Sequence, residues 1–280
     1  MEFSARLLRT LPVAAGTLLA EFEIPDASFT FEAGQASLFS FPPDSPLADR
    51  SRTFSLCSAP EELPSVSIAT RLTPGSAFKE ALSGARPGQN FLIEEASGDF
   101  ILPRGKGVQN LVFLAGGIGI TPFRSMVRSL KIRKSSPFKI FLMTVNRTAD
   151  ETPFLQECQE WEREGRLAWI PVLTKEGLPP GGSRQEQIDE GLERILEMAG
   201  EDSFLYLSGP PAMVDAFHQT LLGQFLVEES RIRSEMFYGY LSRRMIREKV
   251  LPESKRLAGK GVRRKGRASA GRHPSRSEGH

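Results

Sequence analysis

Leu111-Val112-Phe113-Leu114-Ala115-Gly116-Gly117-Ile118-Gly119-Ile120-Thr121-Pro122 is the stretch on which the reading of this 280-residue chain turns. Five apolar residues in a row, Leu111 to Ala115, suit a parallel strand covered on both faces. Three glycines follow at once, and Thr121-Pro122 opens a helix. Glycine lets a backbone approach a ligand closely, and a helix start offers unpaired N–H groups to a phosphate. The spacing differs from the six-residue dinucleotide fingerprint, so a motif match alone is weak. As plain structure, the same residues describe a tight turn from strand to helix.

The strand-helix rhythm continues downstream. A helix is predicted over Thr121–Leu130, a strand over Phe138–Val145, a helix over Phe154–Glu164, a strand over Leu167–Leu173 and a helix over Gln185–Met198. The strand Ser203–Leu207, the helix Pro211–Gln224 and a strand over Ile232–Phe237 complete a doubly wound parallel-sheet domain. Such a domain binds its ligand beyond the carboxyl ends of the strands. A second glycine site, Ser208-Gly209-Pro210-Pro211-Ala212-Met213, again ends a buried strand and starts a helix with proline in its first turn. In a parallel sheet the two glycine-bearing ends share one edge, which suits an extended ligand such as a dinucleotide.

The first hundred residues read differently. Thr17–Ile24, Val66–Leu72 and Phe91–Glu94 have strand length and apolar or β-branched character. Pro42-Pro43 and Pro46 mark a loop. One short helix, Ser76–Leu82, has Ser76 as its expected N-cap. Short strands with one helix predict a small antiparallel barrel. Length alone suggests two domains. The expected divisions are a barrel at 1–105, a nucleotide-binding α/β domain at 106–240 and a basic tail at 241–280.

The charge distribution sets the tail apart. Leu241 to His280 holds 13 Lys/Arg against three Asp/Glu, net +10, while the remainder holds 23 against 31, net −8. With few large apolar residues, this tail is expected to be disordered. Two cysteines, Cys57 and Cys158, and three histidines, His218, His273 and His280, argue against a disulfide framework and against a metal site built by this chain. A chain-borne iron–sulfur cluster would need four suitably placed ligands. No apolar run spans a bilayer, and Met1–Arg6 lacks a basic region followed by an apolar stretch, so the expected location is cytoplasmic.

In the barrel half, Arg52-Thr53-Phe54-Ser55-Leu56-Cys57-Ser58 combines a bidentate cation, an aromatic face and small hydroxyls. Pro74-Gly75-Ser76-Ala77-Phe78 offers a second candidate phosphate cradle. Taken in order with Gly34-Gln35, Gly98-Asp99-Phe100, GGIGITP, SGPPAM and Glu235-Met236-Phe237, these pieces resemble the ferredoxin–NADP reductase-like flavoproteins over roughly residues 1–240. That resemblance implies a flavin-binding barrel followed by a pyridine-nucleotide domain, with FAD as cofactor and NADH or NADPH as co-substrate.

It also implies roles for individual residues. Arg52, Gly75 and Ser76 would hold the FAD pyrophosphate, with Thr53 and Thr70 among the flavin-binding positions. Phe54 would stack on the flavin where the family usually has tyrosine, and Ser55 would sit near the flavin N5. Gly116, Gly117, Gly119 and Thr121 would hold the nicotinamide nucleotide, and Gly209, Pro210 and Met213 would border its reactive end. Ser208 stands where many relatives carry cysteine. Glu235 matches a carboxylate that handles protons in some relatives, and Phe237 matches an aromatic flavin cover. As plain structure, Phe237 would be core and Glu235 a surface carboxylate.

The expected activity is transfer of electrons from NAD(P)H through FAD to an acceptor protein on another chain, such as an iron–sulfur protein, flavodoxin or haem protein. The alternative is direct reduction of a small acceptor such as free flavin or a quinone. A third class, nucleic-acid or membrane-surface binding through the tail, is weakened because that charge run lacks interleaved aromatics. Nucleotide preference rests on Asn146–Glu151. Arg147 suits a 2′-phosphate or is a solvent-exposed turn residue, whereas Asp150 or Glu151 suits a 2′-hydroxyl, which tips the reading toward NADH.

Overall fold

The computed structural model describes residues 1–47, 50–104, 109–134, 138–177 and 182–238. The expected tail at 241–280, and the domain limits at 105, 106 and 240, lie outside the described residues. Residues 1–238 form one compact unit.

Its first half is an antiparallel sheet of six strands: β1 (Glu2–Ala14), β2 (Thr17–Glu23), β3 (Ala36–Ser40), β4 (Ser51–Ser55), β5 (Ser65–Arg71) and β6 (Asn90–Glu94). Their spatial order is β4-β3-β6-β1-β2-β5. The two end strands meet where Leu56 bridges Ile68 and the Cys57 N–H donates to the Ser67 carbonyl at 2.8 Å, which closes the sheet into the expected barrel. Alternation along β1 turns Phe3, Ala5 and Leu7 inward. Rings from Phe22, Phe39, Phe41, Phe54, Phe78 and Phe91 fill the interior with centroids 5.0–6.4 Å apart. Each such ring contributes about 1.5–3 kcal/mol by leaving water.

The barrel helix α1 (Ala77–Ser83) begins after Ser76. Ser76 thus takes the expected N-cap position, with its carbonyl accepting from the Glu80 N–H at 2.9 Å, but its side chain does not cap. The hydroxyl faces inward, fully buried, instead of folding back onto the helix.

The second half is a parallel sheet of β7 (Asn110–Gly116), β8 (Lys139–Asn146), β9 (Ala168–Leu173), β10 (Phe204–Gly209) and β11 (Ile232–Met236), ordered β11-β10-β7-β8-β9. The helices α2 (Ile120–Ile132), α3 (Leu155–Arg163), α4 (Arg184–Ala199) and α5 (Pro211–Gly223) cover it. Residues of α2 and α3 pack on one face with Phe113 and Tyr206, and residues of α4 and α5 pack on the other with Val112 and Leu114. The first of these cores also takes in Leu19, Ala33, Cys57, Ala69 and Phe100 from the barrel half, so the two halves share buried surface.

The join is specific. Phe113 stacks on Phe123 at 4.5 Å, and Phe100 meets Tyr206 edge-on at 5.3 Å. The Tyr206 hydroxyl donates to the Ile101 carbonyl at 2.9 Å. A Cβ on Gly34 would fall 2.1 Å from the Phe100 carbonyl oxygen, so that junction requires glycine. No helix among the described residues is long and apolar enough to cross a membrane.

Candidate functional site

The two glycine-bearing strand ends lie side by side. β10 pairs with β7 so that Ser208 is level with Ala115, as the shared-edge argument requires. Gly117–Gly119 form a single 3-10 turn that runs straight into α2. A Cβ on Gly119 would lie 2.2 Å from the Ser208 carbonyl oxygen, and one on Gly116 would lie 2.0 Å from Met213 Cε. Both glycines are thus explained by packing of the two turns against each other. Gly117 is different: its φ is +53°, and nothing lies within 4 Å of an added Cβ. It is the member of the loop that borders open space. Thr121 is buried and donates to the Ile118 carbonyl at 3.0 Å, which pins the turn.

Pro210 and Met213 begin α5 and lie over Gly116, with Met213 also against Gly209. Ser208 is fully buried, and its hydroxyl has no partner among the described residues. The Phe237 N–H donates to the Gly209 carbonyl at 2.9 Å, which places Phe237 beside this turn. Phe237 is only half-buried and is absent from all three cores, so it is not simple core.

On the barrel side, Ser55 ends β4 and its hydroxyl donates to Glu235 Oε2 of β11 at 3.1 Å. Residues 180 apart in sequence, named separately from the chain, thus form one contact between the two halves. Burial pushes the Glu235 carboxyl up to about 7, against the opposing effect of the Ser55 hydrogen bond. A group with that value exchanges a proton readily near neutral pH. Glu235 is accordingly not a plain surface carboxylate.

Arg52 and Ser76 form a second focus. Arg52 donates through Nη1 to the Ser51 carbonyl at 2.9 Å, while its buried Nε has no partner among the described residues. Ser76 Oγ is likewise buried and unpartnered. Buried donors without acceptors are costly, and an anion supplies acceptors. Gly75 has φ +83° and open space around it. Its N–H donates to Glu80 Oε1 at 2.9 Å, so a carboxylate already stands where the backbone offers a proton. Lys79, which the motif reading did not single out, lies nearby. Burial and the repulsion of Arg52 both lower its pKa. Two cations and two orphaned donors fit a pyrophosphate.

The other barrel positions are placed less openly. Phe54 is buried, edge-on to Phe39 at 5.9 Å and tilted against Phe78 at 5.7 Å. Thr53 is exposed, and Thr70 is buried on β5 with its hydroxyl 3.5 Å from the Arg71 carbonyl.

At the end of β8, Glu151 is not free to accept from a ribose. Its carboxylate accepts from Arg71 Nη2 at 2.8 Å and lies 3.8 Å from Arg147 Nε. The Arg71 hydrogen bond, then the charges of Arg147, Arg71 and Lys175, hold its pKa below the usual carboxylate range. Three cations surround this carboxylate, but Asp150 adjoins it and Glu176 accepts from the Ala149 N–H at 3.2 Å, so the charges of the cluster balance. Asp150 is exposed. Both cysteine thiols are pushed up by burial, Cys158 to about 12, which makes them inert packing residues.

An oxidoreductase NAD-binding domain family matches residues 113–219. Ferredoxin–NADP reductase B of Sorangium cellulosum is 25% identical over 241 residues, covering 84% of this chain and 97% of that protein. Over most of its length this chain is similar to ferredoxin–NADP reductases. The anthranilate 1,2-dioxygenase electron transfer component of Acinetobacter baylyi is 27% identical over 194 residues, 69% of this chain and 55% of that protein. The chain thus spans nearly all of the first relative and about half the length of the second. The fold matches a ferredoxin NADP+ reductase from Neisseria gonorrhoeae, solved with bound FAD and NADP, with a TM-score of 0.71. The identity there is 22%, and the match covers 85% of this chain and 99% of that one.

Proposed function

We propose that this chain is an NAD(P)H-dependent FAD enzyme that passes electrons to an acceptor on a separate chain. The observation that carries the reading is the Ser55–Glu235 contact. It sets the strand bearing the Arg52 cradle directly against the strand beside the two glycine turns. Bound FAD would supply the capacity to take up a hydride and release electrons singly. The chain's own residues do the rest. Arg52, Ser76 and Lys79 hold an anionic pyrophosphate, and Gly117 leaves room for a dinucleotide. Ser55 and Glu235 hold or move a proton, and Phe237 stands as a cover at the Gly209 end.

The sequence resemblance to ferredoxin–NADP reductase B and to a dioxygenase electron transfer component supports a redox protein as acceptor. The exposed Asp150 after β8 is free to face a 2′-hydroxyl while Glu151 is held by Arg71 and Arg147, which supports NADH as the preferred nucleotide. The location consistent with this chemistry is the cytoplasm.

The test is purification of the full chain, chromatographic identification of its extracted flavin, and anaerobic bleaching by NADH and by NADPH. FAD as the bound flavin and a higher kcat/KM for NADH with ferricyanide as acceptor are expected. A protein that takes up no FAD, or whose flavin neither nucleotide bleaches, refutes the reading.

A further inference from the structure

The helix that leaves the glycine loop also grips the barrel. One turn into α2, Arg124 is 6% exposed and Ser125 fully buried. Arg124 Nη1 donates to the Cys57 carbonyl at 2.7 Å, and Ser125 Oγ donates to the Ser58 carbonyl at 2.6 Å. Those two consecutive carbonyls follow Ser55 by two and three residues. The rest of the guanidinium is fully engaged. Nε and Nη2 donate to Glu157 of α3 at 2.7–3.1 Å, and the group lies 4.5 Å over the Phe154 ring. A cation this buried persists only when its hydrogen bonds are satisfied, and here they tie the Cys57 carbonyl of the barrel to the Glu157 carboxylate of α3.

We infer that Arg124 and Ser125 are positioning residues that set the Ser55 end of β4 in register with the Gly116–Gly119 loop, using α2 as a rigid link. The inference rests on the function proposed above. Neighbouring contacts differ in kind. Arg128 binds Glu62 and lies 3.5 Å from Glu157, side chain to side chain, and Ser129 donates to Glu61 at 3.0 Å. Those pairs meet the barrel through side chains, and Glu62 itself accepts from the Ala59 N–H at 2.6 Å, a bond that loss of Arg128 leaves in place and that leaves the Cys57 and Ser58 carbonyls to Arg124 and Ser125. Placing reacting groups to within a fraction of an ångström governs rate far more than binding, so loss of register shows in the limiting rate.

The experiment compares Arg124→Gln, Arg124→Lys and Arg128→Gln in the full, flavin-loaded chain. The first readout is amide hydrogen exchange over residues 55–59, where the Leu56 and Cys57 N–H groups are bonded to Gln35 and Ser67. The second is stopped-flow flavin reduction across nucleotide concentration. Arg124→Gln should raise exchange in that segment at least tenfold and lower the limiting reduction rate at least tenfold. Half-saturation by nucleotide should stay within threefold and flavin content unchanged. Arg124→Lys, which keeps one donor for the Cys57 carbonyl, should recover part of both losses. Arg128→Gln should remain within twofold of wild type in rate. Unchanged exchange or an unslowed limiting rate in Arg124→Gln overturns the inference, and so does an equal slowing in Arg128→Gln. A wild-type flavin that neither nucleotide bleaches overturns the functional reading and this inference with it. A bleaching wild type with an unslowed Arg124→Gln overturns this inference alone.

Discussion

Replacing Glu235 by glutamine tests the site through stability before any turnover is measured. The carboxyl is raised by burial from 4.5 to about 7. Below pH 4.5 it is protonated in both folded and unfolded chains and contributes no pH dependence. Between 4.5 and 7 the unfolded chain ionises while the folded chain stays protonated, so the folded state binds more protons and stability falls as pH rises. A tenfold difference in proton affinity between the two states is worth about 1.4 kcal/mol, so between pH 5 and pH 8 this one group removes about 2–3 kcal/mol.

Glutamine has the same shape, still accepts from Ser55 and carries no charge, so that loss disappears in the variant. The assay is chemical denaturation of both proteins at pH 5, 6, 7 and 8. Because other groups titrate equally in both, the difference between the two curves isolates Glu235. The variant should gain on wild type by about 2–3 kcal/mol across this range, with most of the change between pH 5 and 7. A difference that stays flat with pH would refute the assignment of burial as the cause. It would also remove Glu235 as a proton-exchanging group near neutrality. If the assignment stands, the wild-type rate of acceptor reduction should carry an apparent pKa near 7 that Glu235→Gln loses.

Gly117→Val should slow flavin reduction by nucleotide while leaving bound flavin intact, at a stability cost of about 1–2 kcal/mol for the left-handed φ; reduction at wild-type speed would show that the loop is only a turn. Gly119→Ala should instead lose folded protein, since its methyl would meet the Ser208 carbonyl, and thermal melting distinguishes the two variants. Arg52→Ala should weaken FAD retention by about 1.5–3 kcal/mol, the worth of a charged hydrogen-bond partner, and unchanged occupancy by equilibrium titration would take Arg52 out of the site. Deleting residues 241–280, whose net charge is +10, should leave ferricyanide reduction within a few-fold. Reduction of an acidic protein acceptor should drop at low ionic strength only, and an equal loss with ferricyanide would show that the tail acts on the active site and not on partner encounter.

What the chain announces in its sequence, and what it hides, follow from where each signal resides. The parallel half is legible because continuous apolar strands and helix-opening prolines are local. Its predicted elements match β7 through β11 and α2 through α5 to within two residues at every end. β1 escapes the sequence reading although Phe3, Ala5 and Leu7 alternate, because its later half exposes Leu8 and Leu11 and contains Pro12, which blurs the period. β3, only five residues between Gly34 and Pro42, gives too short a pattern.

The glycines stand out as a group, but only three-dimensional packing separates Gly116 and Gly119, held by neighbouring backbone and Met213, from Gly117, which faces open space. Glu235 can be named from the family resemblance, but its raised proton affinity comes from burial across a join between halves that no local window contains. Arg124 is the clearest case. Within Thr121–Leu130 an arginine beside serine reads as the solvent face of a helix, and nothing nearby in sequence contradicts that. Its partners, the Cys57 carbonyl, Glu157 and the Phe154 ring, come from segments 67 residues before it and about 30 after it. A charge becomes a structural element only when distant chain closes over it. That is why Arg124 and Ser125 stay invisible in a reading that names Ser55 and Glu235.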